Sequence, residues 1–187
     1  MRTLVASDCT LEPLVTAHAH EMFSVLSDPA IYQFENEPPP SEEWLTRRYA
    51  RLENRVSADG TQTWLNWVIR LPSGELAGYV QATVFKSGAA LVAYELASRY
   101  WRRGIGRSAL SAVLDELSEN YPTALFVAVL KSANFRSEGL LVKLGFEPAS
   151  EVQVAQFGAE PNEKVMVKRA CRTENLADLA AGYSVQI

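Results

Sequence analysis

Arginines and glycines are concentrated in one short segment of the chain. Three arginines flank two glycines at the point where an amphipathic helix is predicted to begin. A helix N-terminus already carries partial positive charge, so cations beside it are unfavourable unless an anion is present. Glycines allow backbone N–H groups to approach such an anion closely. The segment therefore predicts a phosphate or pyrophosphate site, with a solvated basic turn as the alternative. Its residues are Arg102, Arg103, Gly104, Ile105, Gly106, Arg107 and Ser108.

Two common phosphate-binding patterns fit this segment poorly. Gly104 to Ala109 matches G-x-G-x-x-A, but the dinucleotide site needs a strand that runs directly into the first glycine. Here residues 98–103 intervene, and Lys131 stands where an acidic residue would bind the ribose. The P-loop pattern G-x-x-x-x-G-K-[ST] does not occur. A nucleotide-dependent oxidoreductase and P-loop hydrolysis are both disfavoured.

The elements that follow this segment are predicted from apolar periodicity. A stripe from Leu110 to Leu117 predicts a helix. Residues 124–130 are apolar without alternation, which is typical of a strand buried on both faces. Asn134 is expected to cap a helix that runs through Leu144. Weaker strands are predicted at Val152–Phe157 and Lys164–Lys168.

The elements that precede the segment predict helices followed by an antiparallel meander. A first helix is expected between Glu12-Pro13 and Asp28-Pro29, and a second to begin after a cap at Ser41. Three strands joined by short turns follow at Thr63–Leu71, Leu76–Phe85 and Ala89–Ala97. This order predicts an α/β (α+β) fold with a mixed, mostly antiparallel sheet of about six to seven strands, flanked by helices. We expect one domain over residues 1–170 and a tail over residues 171–187.

Composition excludes several classes of protein. With 187 residues, 48% of them hydrophobic and 21% charged, the chain is long enough for one globular domain and is not disordered. The 18 basic and 22 acidic side chains give a net charge of −4, so nucleic acid is not an expected partner. No stretch is long and apolar enough for a transmembrane helix, and no signal peptide is apparent. Two distant cysteines, Cys9 and Cys171, favour reduced thiols and a cytoplasmic location.

Two segments together resemble a known family. Residues 94–106, Tyr-Glu-Leu-Ala-Ser-Arg-Tyr-Trp-Arg-Arg-Gly-Ile-Gly, resemble the acetyl-CoA signature [QR]-x-x-G-x-[GA] of the GNAT N-acetyltransferase superfamily, with Trp101 at the [QR] position. Residues 134–146 resemble the family's N-x-x-[AS]-x-x-L-[YL]-x-K-x-G-F helix. The chain looks most like the RimJ/RimL-type branch, which acetylates ribosomal-protein N-termini. With the element order, the resemblance covers roughly residues 1–170.

The resemblance implies a fold with a splayed pair of strands and acetyl-CoA as cosubstrate. The splay would expose the backbone of residues 94–98 to the pantetheine arm, which makes Leu96, Ala97 and Ser98 cofactor-binding candidates. The Leu96 N–H would stabilise the developing oxyanion. Asn134 would cap its helix and contact the cofactor arm.

The catalytic candidates are Glu95 and Ser137. Glu95 is the sole acid between Ala89 and Arg99, and partial burial among apolar neighbours would suit it to deprotonate an amine. The alternative is a structural carboxylate. Leu141 stands where many family members carry a proton-donating tyrosine, and Ser137, one turn earlier, is expected to solvate the leaving thiolate. The alternative for Ser137 is a simple helix-capping role.

The acceptor is predicted to be a primary amine, either a peptide N-terminus or a small cationic amine. The resemblance places the acceptor groove at residues 32–37, with Tyr32, Phe34 and Glu35 as substrate-binding candidates. A metal is not expected, because His18 and His20 point to different faces of a helix. The sequence leaves open whether the chain forms a homodimer. The rival interpretation is a catalytically silent CoA-binding sensor or interaction module.

Overall fold

The sheet provides the framework of the computed structural model, which describes residues 1–34, 36–157 and 160–170. Two of the sequence predictions, Glu35 as a substrate residue and the tail 171–187, lie outside these residues. The strands are β1 (Leu4–Val5), β2 (Thr10–Pro13), β3 (Gln62–Arg70), β4 (Leu76–Phe85), β5 (Ala89–Leu96), β6 (Leu125–Lys131), β7 (Glu147–Pro148) and β8 (Glu163–Arg169). The helices are α1 (Ala19–Leu26), α2 (Glu42–Leu52), α3 (Ile105–Asn120), α4 (Phe135–Lys143) and α5 (Glu151–Phe157).

The sheet is mixed, and its one parallel contact among the described residues is short. The strand order is β1-β2-β3-β4-β5-β6-β8-β7. All neighbours are antiparallel except β5 and β6, which pair through only Ala89, Ala90 and Leu91 of β5. Beyond Leu91 the two strands separate, while β5 stays paired with β4 as far as Leu96. The predicted mixed, mostly antiparallel sheet with a splayed pair is confirmed.

Two elements differ from the sequence prediction. Over the described residues the sheet has eight strands instead of six to seven, because the short strands β1, β2 and β7 carry too few residues for a visible alternation. Glu12 and Pro13 therefore belong to strand β2, and the first α-helix begins later, at Ala19. The predicted strand at Val152–Phe157 is wrong, since these residues form helix α5.

The start of α5 has a local physical cause. The Ser150 N–H donates to Oε1 of Gln153 at 3.0 Å, and the Gln153 N–H donates to Oγ of Ser150 at 3.4 Å. This reciprocal arrangement is a capping box, which satisfies two backbone donors at a helix N-terminus. The cap outweighs the β-branched residues that favoured a strand.

Helices cover both faces of the sheet and position the two halves of the site. Helices α1 and α2 contact each other, and α1 packs on β4. Helix α3 packs on β4 and β5 and also contacts α4. The largest fully buried side chains come from both layers and include Trp67, Phe126 and Leu141. Helices α1 and α3 therefore have an apolar face fixed against the sheet, and that packing orients their polar faces.

Gly78 allows β4 to approach β5 where the catalytic candidate lies. A Cβ atom added at Gly78 would lie 1.9 Å from the backbone oxygen of Glu95 and 2.8 Å from Cα of Leu96. Both neighbours are backbone atoms in a paired strand, so neither can rotate away. Glycine at this position is what permits the observed spacing of β4 and the end of β5.

Replacing this glycine tests that close approach. Gly78→Ala is expected to displace the end of β5 and to destabilise the protein by about 1–3 kcal/mol. Thermal or denaturant unfolding would measure the loss. Gly139→Ala is the matched control, because the same Cβ in the interior of α4 meets no atom within 4 Å and should be neutral or slightly stabilising. Equal stability of Gly78→Ala and the parent protein would show that the close approach is not required.

Candidate active site

The separation of β5 from β6 leaves backbone groups of β5 facing a gap. The Ala97 N–H donates to the Ala77 carbonyl of β4 at 2.9 Å. Since N–H directions alternate along an antiparallel strand, the N–H groups of Leu96 and Tyr94 point the other way, towards β6. The pairing with β6 has already ended there. The predicted oxyanion donor, Leu96 N–H, is therefore directed into the gap.

The arginine-rich segment meets this gap at the start of α3. Gly104 is the N-cap residue with φ +84°, and no side chain caps the helix. The first helical hydrogen bond runs from the Ser108 N–H to the Gly104 carbonyl, so the N–H groups of residues 105–107 have no acceptor within the helix. Arg102 adopts φ +61°, a conformation that costs energy for a side chain with a Cβ. Because its first N–H groups have no acceptor, this helix start is a suitable anion site.

A cavity of about 680 Å³ joins the gap to this helix start. Its walls come from the separated ends of β5 and β6, the turn before α3, and α4. It is large enough for an elongated ligand, because ligand sites span about 300–1,000 Å³. The predicted residues that line it are Phe34, Glu95, Leu96, Arg102, Gly104, Gly106, Arg107, Asn134 and Ser137.

Several other predicted residues lie outside the cavity wall. Ala97 and Ile105 are buried. The Ser98 N–H donates to Oδ2 of Asp28 at 2.6 Å, and Ser108 Oγ is 2.9 Å from Ser7 Oγ. Arg103 is exposed. Tyr32 lines a second, smaller cavity.

Tyr94 is a site residue that the sequence analysis missed. Its hydroxyl lies 2.8 Å from Oγ of Ser137, across the cavity from β5 to α4. Burial raises the pKa of Tyr94 to about 12, although the hydrogen bond to Ser137 opposes this shift. The phenol is therefore protonated at neutral pH and holds a proton beside the Ser137 hydroxyl. Asn134 positions Ser137 by accepting a hydrogen bond from its N–H at 3.1 Å.

Glu95 lies on the opposite face of β5 from Tyr94, among tyrosines. Burial raises the pKa of Tyr79 well above its usual range, and the charge of Glu95 and a hydrogen bond with it add to the shift. Burial followed by the Glu95 charge raises the pKa of Tyr32 as well. The phenols of Tyr79 and Tyr32, which are within electrostatic reach of Glu95, therefore stay protonated at neutral pH.

The second cavity, of about 290 Å³, lies on the Glu95 side of the sheet. It shares Asn36, Tyr79, Gln81 and Glu95 with the larger cavity, so the two cavities meet at these residues. Helix α2 and the segment around Tyr32 form its other walls. The strand β5 thus lies between the larger and the smaller cavity, and Glu95 lines both of them.

An aromatic cluster lies at the edge of the larger cavity. The Arg136 guanidinium is 4.2 Å from the ring centre of Trp101 and 5.2 Å from that of Phe34, and it donates to the Gln33 side chain. Trp101 Nε1 donates to the Leu96 carbonyl at 2.8 Å. Trp101, which occupies the [QR] position of the motif, is thereby fixed to the end of β5. Sequence spacing gives no signal for this cluster, because its members come from three separate segments.

The described residues contain no group of three or more His, Cys, Asp or Glu side chains arranged to hold a metal ion. Among the helices of the described part, none has the length and apolar character needed to cross a membrane.

The comparisons with known proteins identify the family. The model of the GNAT acetyltransferase domain matches residues 8–147, and the chain belongs to this family. It is therefore an acyltransferase of the N-acetyltransferase type, as the two motifs predicted. A comparison with curated protein sequences gives no match.

Solved acetyltransferase structures share the fold. RimL, a ribosomal L7/L12 alpha-N-protein acetyltransferase in complex with coenzyme A, has a TM-score of 0.75 at 15% identity, covering 89% of this chain and 97% of that chain. Ribosomal-protein-S5-alanine acetyltransferase from Vibrio fischeri has a TM-score of 0.72 at 16% identity, covering 92% and 99%. The microcin C7 self-immunity acetyltransferase MccE, in complex with acetyl-CoA and AMP, has a TM-score of 0.71 at 15% identity, covering 87% and 93%. At these identities the similarity establishes the fold.

The arginines of the larger cavity give a direct test of the anion site. Arg102→Ala and Arg107→Ala should each weaken CoA binding by about 1–3 kcal/mol, because each removes a charged hydrogen-bond donor to phosphate. Calorimetric titration with CoA measures the change. Arg51→Ala is the matched control, since it removes the same charge from an exposed position on α2 that lines neither cavity. Unchanged affinity in both cavity variants would assign the arginines to a solvated turn.

Proposed function

We propose that this protein transfers an acetyl group from acetyl-CoA directly to a primary amine. The observation that carries this proposal is the position of Glu95, on the strand that borders the gap and at the junction of the two cavities. A cosubstrate in the larger cavity and an acceptor in the smaller one would meet beside this carboxylate. A cavity that only stored CoA would need no second chamber at that point.

The larger cavity has groups suited to each part of acetyl-CoA. The uncapped start of α3, with Arg102 and Arg107, suits the pyrophosphate. The N–H groups of Tyr94 and Leu96 suit the amide-bearing pantetheine arm, because they point into the gap without a strand partner there. Asn134 and Ser137 lie on the opposite wall.

The chemistry requires three groups around the reacting carbon. An amine is protonated at neutral pH, and Glu95 takes its proton so that the nitrogen can attack the thioester carbon. Negative charge develops on the thioester oxygen, and the Leu96 N–H is the donor we assign to it. When the C–S bond breaks, the thiolate leaves on CoA. The attacking nitrogen loses its second proton as the amide forms, and this loss balances the proton that the sulfur gains. The paired hydroxyls of Ser137 and Tyr94 are the protein groups we assign to solvate and protonate that sulfur.

The transfer is proposed to be direct, in a ternary complex. The one cysteine among the described residues with a free thiol, Cys9, is buried, and burial followed by the Asp8 charge raises its pKa to about 11. Cys9 lines neither cavity. The described part of the site therefore offers no thiolate for a covalent acyl-enzyme.

Glu95→Gln tests the base. This variant should retain CoA affinity and folding, while the rate falls by about 10²–10⁴-fold, the usual contribution of a general base. The loss should appear in kcat as well as in kcat/KM, because the proton is removed on the way to the transition state. It should shrink as the pH approaches the pKa of the acceptor ammonium, where free amine is abundant. Acetyl transfer measured by thiol release over pH 6–10 gives both results.

Glu119→Gln is the matched control, since Glu119 is exposed on α3 and lines neither cavity. It should match the parent protein at every pH. If Glu95→Gln is as active as the parent protein from pH 6 to pH 9, Glu95 is structural. Glu37, which also lines the smaller cavity, is then the next carboxylate to replace.

A further inference from the structure

Arg48 contributes a positive charge to the wall of the smaller cavity. It lies on α2, is partly buried, and has no carboxylate within ion-pair distance among the described residues. Its guanidinium lies 5.6 Å from the ring centre of Trp44. Its charge also reaches the phenols of the cavity, where it opposes the rise in pKa that burial imposes on Tyr49 and Tyr79. A partly desolvated guanidinium favours an anionic partner.

Tyr49 lines the same cavity and has a buried, unsatisfied hydroxyl. Its side chain is 3% exposed, and within the described part of the chain its Oη has no hydrogen-bond partner. A buried polar atom without a partner is unfavourable, and such atoms are rare in folded proteins. The charges of both Arg48 and Glu95 act on this phenol. The hydroxyl is therefore within electrostatic reach of both a cation and an anion of the cavity wall.

The remaining wall is mixed, with the polar residues Asn36, Glu37, Asn66 and Gln81 beside apolar ones, and the space is small. Leu14, Leu26, Leu45 and Leu52 line the cavity. Its volume of about 290 Å³ is at the lower end of the range for ligand sites, which favours a small acceptor. A polyamine would also bring a second cation towards Arg48.

We propose that the acceptor is a free amino acid with an apolar side chain, whose amine faces Glu95 and whose carboxylate faces Arg48 and the Tyr49 hydroxyl. This inference rests on the proposed function, because it names the substrate class of the same site. In this arrangement, Glu95 contacts the amine of the acceptor, and Arg48 and Tyr49 contact its carboxylate. The leucines of the cavity wall contact its side chain. The sequence analysis did not predict an anionic group on the acceptor.

Binding to the CoA-loaded protein tests this inference without requiring turnover. L-leucine, L-methionine and L-phenylalanine are each titrated by calorimetry against the corresponding amino acid amide, which keeps the amine and side chain and removes the negative charge. At least one free acid should bind 10-fold or more tightly than its amide. Acetylation of the same pairs is then followed by thiol release and mass spectrometry.

Two variants locate the contact. Arg48→Ala should weaken binding of the free acid by about 10–100-fold, raise its KM with little change in kcat, and abolish the preference over the amide. Tyr49→Phe, which removes only the unsatisfied hydroxyl, should reduce the same preference by a smaller factor. Arg47→Ala is the matched control, since Arg47 neighbours Arg48 but is exposed and does not line the cavity.

The outcomes separate the two proposals. Acids that bind no better than their amides, or a preference that Arg48→Ala leaves intact, overturn the amino acid inference while amine acetylation stands. The inference is also overturned if neither acids nor amides bind. Binding of the acids without acetylation of any amine supports the amino acid site and contradicts the proposed transfer reaction.

Discussion

The early end of the parallel pairing between β5 and β6 is the constraint on which the site depends. Backbone N–H and C=O groups buried in a protein need partners, and a strand edge inside a sheet normally finds them on its neighbour. Here only Ala89–Leu91 do so, and the following residues face a gap. The Trp101 indole satisfies the Leu96 carbonyl, while the N–H groups of Tyr94 and Leu96 remain directed towards the space. An extended, amide-containing ligand would complete the edge.

The same strand also separates the groups assigned to the leaving sulfur from the group assigned to the incoming amine. Successive side chains of a strand point to opposite faces, so Tyr94 and Glu95 lie on different sides of the sheet although they are adjacent in sequence. Tyr94 reaches Ser137 on α4, and Glu95 lies at the boundary of the smaller cavity under α2. Gly78 keeps β4 close behind this strand. One rigid element therefore holds the groups assigned to the leaving sulfur and to the incoming amine.

The sequence allowed prediction of features whose cause is local. The helix start beside Arg102 and Arg107 and the Asn134 cap depend on a few neighbouring residues, and both were predicted correctly. The strands β1 and β2 were missed because they hold two and four residues, and α5 was missed because its Ser150–Gln153 cap was not considered. Contacts between distant segments give no periodic signal. Tyr94 and Ser137 are 43 positions apart, and Tyr49 belongs to a stripe that is typical of an ordinary core-facing helix.

Residue-resolved amide hydrogen exchange of β5, with and without CoA, tests most directly whether the gap is the binding surface. Saturating CoA should slow exchange at Tyr94 and Leu96 by at least about 10-fold, because bound ligand would accept hydrogen bonds from these amides and exclude water. Exchange in β3, on the far side of β4, should not change. CoA that binds measurably yet leaves Tyr94 and Leu96 exchanging as in the free protein would contradict the assignment of the gap to the cosubstrate.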